Sequence, residues 1–514
     1  MTENTTIVLH SYPQDKFIHK TVLSIANQTN KNFNVVFIGD LKSDIADLLS
    51  KENIDFEWVT DVDKFYAEML NESIEQYFNE FILYIDNMNY PVILKEAALE
   101  AFLIAAQRNP SGGLFYTDYD LKKGDETKEV HLLNHHIGRV RDNQDYGKVF
   151  FLRREAIDRI GGLDQALKHK VKYDIRLKIS EIFSLIRISN KYSGSFYTVI
   201  SEGNTTNVFD YLLSDKDVQL EAEEVLTNHL KRINAYIRPE VFIDSSNIFE
   251  GEYDLEASVI IPVGHRPEFI GTAIESIQAQ TISDIEAIIV VNGGKNDPTA
   301  DAVRKYMKGG ELYDSTKPEI RLIVIDINNI GLCLNIGVNN AKGKYYIQLD
   351  SDDRLKPDAV EKVLNAFGKD HNIGMVIGSY EVWEKLDNGA MKRMEDIAVV
   401  THDEWTDDNG RNNLLRINGA GAPRCIPIDV IKEMGYFSIN DDAYARNYGE
   451  DYEMVLKISE YHRIGRIYDP IYEVVRHSGG TDHSISEDLI SRNDEAKDDM
   501  RKHAILRRIA FNNK

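Results

Sequence analysis

The chain has 514 residues, 42% hydrophobic and 28% charged, with a formal net charge of −24. That length exceeds one ordinary hydrophobic core and predicts two domains, or two plus a tail. The negative excess repels nucleic acid and anionic membrane, so neither is expected as a partner through bulk electrostatics, although peripheral membrane contact and self-association stay open.

In the first half, strand patterns at Thr6–Leu9, Phe33–Ile38, Glu57–Val59, Phe81–Asp86 and Gly113–Tyr119 alternate with helical ones at Lys20–Gln28, Phe65–Glu80 and Pro91–Arg108. Alternation of this kind is the βαβ signature of an α/β fold with a mostly parallel sheet. Leu213–Ala235 is charged and helical, and Ile237–Tyr253 is irregular. The second half repeats the alternation. Strands fall at Ala257–Ile261, Ile285–Val291, Ile320–Ile325, Tyr345–Leu349, Gly374–Glu381 and Tyr472–Val475, and helices at Pro267–Gln280, Asp301–Met307 and Asp358–Phe367. A charged helical segment, Glu487–Arg508, follows His483.

The repetition is literal in places. Ser24-Ile25-x-x-Gln28-Thr29 returns as Ser276-Ile277-x-x-Gln280-Thr281, and Leu177-Lys178-Ile179-Ser180-Glu181 returns as Leu456–Glu460. Two matches in the same order and context point to duplication. The predicted organisation is a first α/β domain over 1–210, a helical linker over 211–255, a second α/β domain over 256–485 and a helical tail over 486–514. Two cysteines, Cys333 and Cys425, build neither a disulfide framework nor a cysteine metal site, which fits a cytoplasmic protein. The N-terminus lacks a signal-peptide pattern, and no apolar run reaches the roughly 18–20 residues of a membrane span.

The strand Tyr345–Leu349 ends in Asp350, Asp352 and Asp353, three acids within four residues. Open α/β sheets bind ligands at the carboxyl ends of their strands, and clustered carboxylates call for a cation. A solvated acidic turn before the helix near Pro357 would carry the same residues. Glu450 and Asp451 open a helix, where acids also complement the dipole. His477 lies in Arg476-His477-Ser478-Gly479-Gly480, a metal-ligating imidazole or a plain surface loop.

Several separated motifs then share one order. They are Ser258-Val259-Ile260-Ile261-Pro262 and the Ser-Ile-x-x-Gln-Thr helix, Asn292-Gly293-Gly294 after a strand, Asn329-Ile330-Gly331 with Asn335-x-Gly337, Ala341–Lys344, Asp350-Ser351-Asp352-Asp353 and Gly449-Glu450-Asp451-Tyr452. In this order residues 256 to about 483 resemble the family-2 glycosyltransferases, which have the GT-A fold. Gly113–Leu121, Gly147–Arg154 and Ile160–Asp164 resemble the latter part of the same fold. The tandem arrangement resembles bacterial enzymes that build surface polysaccharides and O-antigens.

The resemblance implies an inverting hexosyl- or N-acetylhexosaminyl-transferase using a nucleotide-diphosphate sugar, with Mn2+ or Mg2+ as cofactor. The acceptor would be a glycan or lipid-linked glycan, and the enzyme would work in the cytoplasm or at the inner face of the cell membrane. It implies Asp352 and His477 as metal ligands, Asp451 as general base and Glu450 as its partner in orienting the acceptor. Pro262, Val263, Asn292, Asn329, Gly331, Asn335, Asp350 and Asp353 would line the nucleotide site. The family often carries Asp-Asp-Gly-Ser where Asn292-Gly293-Gly294-Lys295 stands, and Leu334 replaces a common Arg. UDP-sugar is the leading donor and GDP-sugar the alternative.

Aligned with the second half, the first half ends its strand in Asp86-Asn87-Met88-Asn89 and places Val171 and Lys172 opposite Glu450 and Asp451. The fold thus does not require the acids, and a lysine is no base at neutral pH unless burial depresses its pKa. The first half is expected to be a degenerate copy with little or no activity. Asp118 and Asp120 keep open a bifunctional polymerase, and the altered base pocket a silent nucleotide-sugar or glycan-binding scaffold. A sugar nucleotidyltransferase ranks last, because Gly264-His265-Arg266 is a poor phosphate loop.

Overall fold

The computed structural model describes residues 5–11, 18–40, 42–60, 64, 66–190, 194–201, 216–241, 251–386, 388–401, 409–417, 421–441, 449–477 and 487–514. Parts of the expected linker (211–215 and 242–250), and Tyr448, Ser478, Gly479, Gly480 and His483, lie outside the described residues. The chain divides into two compact units, Met1–Ile233 and Asn234–Lys514. Both are mixed α/β with largely parallel sheets, the arrangement the GT-A resemblance implies.

In the first unit a seven-stranded sheet runs in the order Ser184–Ile188, Gly112–Thr117, Val149–Arg153, Phe81–Ile85, Thr5–Ser11, Phe33–Gly39, Phe56–Val59. Every residue of Thr5–Ser11 and Phe81–Ile85 is buried, as parallel strands covered on both faces require. Val149–Arg153 alone runs antiparallel to its neighbours. The single helix predicted over Pro91–Arg108 is instead a strand, Val92–Leu94, followed by a helix, Ala98–Arg108. β-Branched Val92 and Ile93 favour extended chain, and their partner, Tyr197–Ile200, is too distant in sequence to register in local periodicity. With the hairpin Tyr119–Lys123/Glu126–Val130 they form a second, four-stranded sheet.

The sheet of the second unit runs in the order Glu319–Val324, Ile285–Val291, Leu255–Val263, Gly343–Gln348, Arg424–Pro427, Ile373–Lys385, Arg463–Arg476, Arg354–Leu355, with Met391–Arg393 paired to Ile373–Lys385. The first four are parallel, and Arg424–Pro427 is antiparallel to both its neighbours. Val259, Ile261, Ala273, Ile274, Val360 and Val363 belong to one buried core against two covering helices, Pro267–Gln278 and Ala359–Lys369. The helix Ile330–Asn340 lies close on the strand Leu255–Val263: a Cβ on Gly337 would fall 2.5 Å from Ile260 Cγ2. The strands Ile373–Lys385 and Arg463–Arg476 extend well beyond their expected ranges.

Duplication is written into the registers. Ile7 faces Val35 as Val259 faces Ala287, and Val8 faces Tyr84 as Ile260 faces Gln348. Asp86 and Asp350 therefore follow equivalent strands at the same position. The repeated glutamines make the same bracket. Gln28 donates to Ser24 O and Lys95 O at 3.0 and 2.8 Å and accepts from Leu99 N at 2.9 Å. Gln280 donates to Ser276 O and Lys356 O at 3.0 and 2.8 Å and accepts from Val360 N at 3.1 Å.

The helices expected as linker and tail also make matching contacts. Lys216–Arg232 sits in the first unit, where Arg232 and His229 bind Glu181. Its Glu221 accepts the free N–H groups of His169 and Lys170 at the start of helix Val171–Ser180, at 2.7 and 2.6 Å. In the second unit, helix Glu487–Asn512 brings Arg507 to Glu460, the repeat counterpart of Glu181, at 2.7 Å. No helix among the described residues is long and apolar enough to cross a membrane.

Removing the bracket leaves buried backbone groups without partners, which typically costs about 1–3 kcal/mol. Gln28→Ala is expected to lose about that much stability and to accelerate hydrogen exchange at the Leu99 amide, with exchange at Val360 unchanged. Exchange mass spectrometry checks both.

Candidate active site

The strand Gly343–Gln348 delivers a tight turn in which Asp353 N–H donates to Asp350 O at 3.1 Å. The three acids have different surroundings. Asp353 is buried and accepts Val475 N–H at 2.8 Å, tying the turn to the long strand Arg463–Arg476. Asp350 receives the Gln348 amide at 3.4 Å, while its own backbone N–H donates to the Tyr472 hydroxyl at 3.1 Å. Asp352 meets the Arg266 guanidinium and, at 3.0 Å, His477 Nε2. His477 packs on the Phe269 ring with centroids 4.1 Å apart. Burial, with repulsion from Asp350 and Asp352, pushes the Asp353 carboxyl well above its ordinary pKa. Burial also raises Asp350, against the pull of Arg424.

A divalent ion held by Asp352 and His477 would have to displace Arg266, which pairs with the same Asp352 oxygen. Asp352 Oδ2 and His477 Nε2 lie 3.0 Å apart. Two neighbouring ligands of an octahedral ion at about 2.1 Å are separated by roughly 3 Å. No group of three or more His, Cys, Asp or Glu that could hold a metal occurs among the described residues. Mg2+ habitually takes one or two carboxylates and completes its shell with water and substrate phosphates, so a two-residue corner suits it.

The second part of the site is the start of helix Glu450–Tyr461. Gly449 precedes it at φ 86°, a left-handed conformation that favours glycine, with the end of the Met500 side chain packed over it. At the other end, Arg411 donates to Ser459 O and Glu460 O at 2.8 and 2.9 Å, satisfying carbonyls that the helix leaves free. Asp451 Oδ1 accepts Tyr452 N–H at 2.7 Å, and its Oδ2 lies 3.3 Å from Arg424 Nη1. Burial raises the Asp451 pKa, but Arg424, Lys497 and the helix N–H groups outweigh it and hold the carboxyl below its ordinary value. Burial and the charge of Asp451 push Glu450 up to about 7. Adjacent carboxyls driven apart in this way give one charged and one protonated group near neutral pH, the pattern of acid–base sites.

The other expected residues fall in two places. Pro262 and Val263 end their strand beside Asn292, whose N–H donates to Val263 O at 2.9 Å and whose amide donates to Asn328 Oδ1 at 3.2 Å. Asn329, Gly331 and Asn335 tie helix Ile330–Asn340 to chain 437–439. Asn329 caps the helix and donates to Ile439 O at 3.0 Å, and Asn335 exchanges bonds of 2.8 and 2.9 Å with Phe437. A Cβ on Gly331 would sit 1.9 Å from Ser438 O. Sequence reasoning did not find Arg266 or Arg424. The available signal was charge: acids this crowded need basic partners.

In the first unit the same position is neutralised from within. Lys172, in place of Asp451, pairs with Asp86. Asp118 is consumed by Arg187 at 2.8 and 2.9 Å and by Leu132 N and Asn190 N, and Asp120 by Lys95 at 2.9 Å.

A carboxyl raised on folding holds its proton longer than in the unfolded chain, so stability falls as pH rises between the two pKa values. For Glu450 that window runs from its ordinary 4.5 to about 7. Glu450→Gln is expected to gain on the unsubstituted protein across this range, with the gap level above it, as read by urea unfolding at pH 4.5, 6 and 8.

Residues 258–422 match the family model described as Glycosyl transferase family 2. An uncharacterized glycosyltransferase of Rickettsia bellii is 30% identical over 213 residues, 41% of this chain and 28% of the relative. A chondroitin synthase of Pasteurella multocida is 35% identical over 119 residues, 23% of this chain and 12% of the relative. The chain thus spans less than a third of either relative's length. Among solved structures, S. aureus TarS 1-349 in complex with UDP-GlcNAc aligns at TM-score 0.35 and 18% identity over 46% of this chain and 64% of that one. The mannosyltransferase PcManGT of Pyrobaculum calidifontis, in complex with GDP-Man and Mn2+, aligns at TM-score 0.32 and 12% identity over 56% and 84%. The segment that matches the family-2 model, the strand-end acids and the paired carboxyls all lie in the second unit.

Proposed function

We propose that the second unit transfers a sugar from a nucleotide-diphosphate sugar to a hydroxyl of a glycan acceptor, with inversion and with bound Mn2+ or Mg2+. The observation that carries this reading is the meeting of two functions around one turn: an ion-holding corner, Asp352 with His477, and a split carboxyl pair, Asp451 with Glu450. Asp352 and His477 would hold the ion, which when bound supplies positive charge to the diphosphate leaving group.

The remaining steps belong to the chain's own residues. Asp451 takes the proton of the acceptor hydroxyl as that oxygen bonds the anomeric carbon. The bond from that carbon to the diphosphate oxygen breaks on the opposite face, which inverts the centre. Glu450, protonated near neutral pH, donates a hydrogen bond that orients the acceptor. Pro262, Val263 and Asn292 flank the nucleotide, with UDP the leading base and GDP the alternative. The relative named a chondroitin synthase supports a polysaccharide acceptor. Two buried free thiols suit a cytoplasmic setting.

The first unit, in this reading, carries no transferase activity. Its Lys172–Asp86 pair leaves neither a base nor a cation-seeking acid at the strand end.

Titration calorimetry of UDP and GDP, with and without Mn2+, tests the proposal. Metal-dependent binding is expected, weakened at least about tenfold by Asp352→Asn, since a lost ligand costs no less than a lost outer-shell partner. Asp451→Asn should bind donor normally and lose about 10²–10⁴-fold in transfer. Lys172→Ala, which strips buried Asp86 of its partner, should destabilise the first unit and leave transfer by the second unchanged within about twofold. Nucleotide binding indifferent to metal would remove the ion from the reading.

A further inference from the structure

Arg424 belongs to the antiparallel strand Arg424–Pro427 beside the strand that delivers the acids. Its guanidinium is fixed on two protein acceptors, Gln348 Oε1 at 3.2 Å and Gly421 O at 2.8 Å. From there its Nη1 lies 3.3 Å from Asp451 Oδ2, and its charge also acts on Asp350. One cation thus spans the end of the central strand and the start of the helix that carries the base.

The first unit provides an internal control. Ile347 faces Cys425 as Leu83 faces Phe151, so Phe150 holds the place of Arg424. Where Asp451 is replaced by Lys172, the arginine is replaced by a phenylalanine. The strand forms without the guanidinium, so packing does not explain it. A half-buried arginine costs desolvation unless charges repay it, and the acid it pairs with, Asp451, is the base of the proposed chemistry.

We propose that Arg424 is a positioning residue for transfer: anchored on Gln348 and Gly421, it fixes the Asp451 carboxylate as a charged group aimed at the acceptor hydroxyl. This rests on the reading of Asp451 as base. Among the described residues five charged or titratable groups face Asp451: Arg424 from its strand, Lys497 from the C-terminal helix, Glu450 beside it, Asp350 from the turn and Tyr346 from the strand leading into it. Lys497 leaves part of the field in place when Arg424 is removed, so the effect is a shift and not a complete loss of ionisation.

The full chain carrying Arg424→Gln or Arg424→Lys is compared with the unsubstituted protein. Water-soluble carbodiimide reacts with protonated carboxyls, and the Asp451 side chain, 27% exposed, is within reach. Labelling at the Asp451 side chain, resolved from Glu450 and Glu453 by fragmentation of the peptide, is followed against pH by mass spectrometry, with circular dichroism as the check on folding. The midpoint is expected to rise by about 1–3 pH units in Arg424→Gln, the usual effect of losing an adjacent arginine. Arg424→Lys should restore at least half of it. The acid limb of the transfer pH profile should move with the labelling midpoint, while nucleotide affinity stays constant. A folded Arg424→Gln with an unmoved midpoint overturns the role of Arg424, even if it transfers poorly. Asp451→Asn transferring at the unsubstituted rate would instead overturn the base reading, and the catalytic part of this proposal with it.

Discussion

Three carboxyl groups at the end of one buried strand repel one another, and the second unit is arranged to accommodate that repulsion. Water is largely excluded, so each acid must lose its charge or find a partner. Asp353, its carboxyl pushed well above the ordinary pKa by burial, becomes a backbone anchor for the strand Arg463–Arg476. Asp352 finds partners in Arg266 and His477, which joins the first helix of the unit to the end of its last long strand. Asp350 feels the charge of Arg424, which also pairs with Asp451 on the helix Glu450–Tyr461. Segments far apart in sequence are brought to one point by the need to place positive charge and hydrogen-bond donors there.

The two units show what happens when that need is removed. Strand registers and the glutamine bracket are kept, whereas the electrostatics reverse: one acid, one lysine, and a phenylalanine where the arginine stood. Scaffold and chemistry are therefore separable in this fold. The scaffold rests on apolar strands and a few buried amides, the chemistry on side chains at strand ends, which can change without disturbing the core.

This separation governs what could be read in the sequence. The alternating strands and helices were legible because apolar periodicity records burial directly. Asp350, Asp352, Asp451 and His477 stood out as chemically marked residues at a strand end, a helix start and a loop. Arg266 and Arg424 did not, because an arginine in a loop or short strand looks the same whether it faces solvent or an acid across the fold. The strand Val92–Leu94 was missed for a related reason: its pairing with Tyr197–Ile200 is not a local property. Likewise the repeat Leu-Lys-Ile-Ser-Glu was visible, but not that its two glutamates bind arginines of two further helices, Arg232 and Arg507.

Those two helices bear on how the protein is made. Synthesis runs from the N-terminus, and domains generally fold as units as they emerge. The first unit receives its closing helix, Lys216–Arg232, before the second begins, and can settle early. In the second, the helix that bears Asp451 gains Met500 at its start and Arg507 at its end only when Glu487–Asn512 has been added. The acidic cluster is thus translated long before the segment that steadies its neighbouring helix, and the ribosome holds an unfinished site for most of the second unit's synthesis.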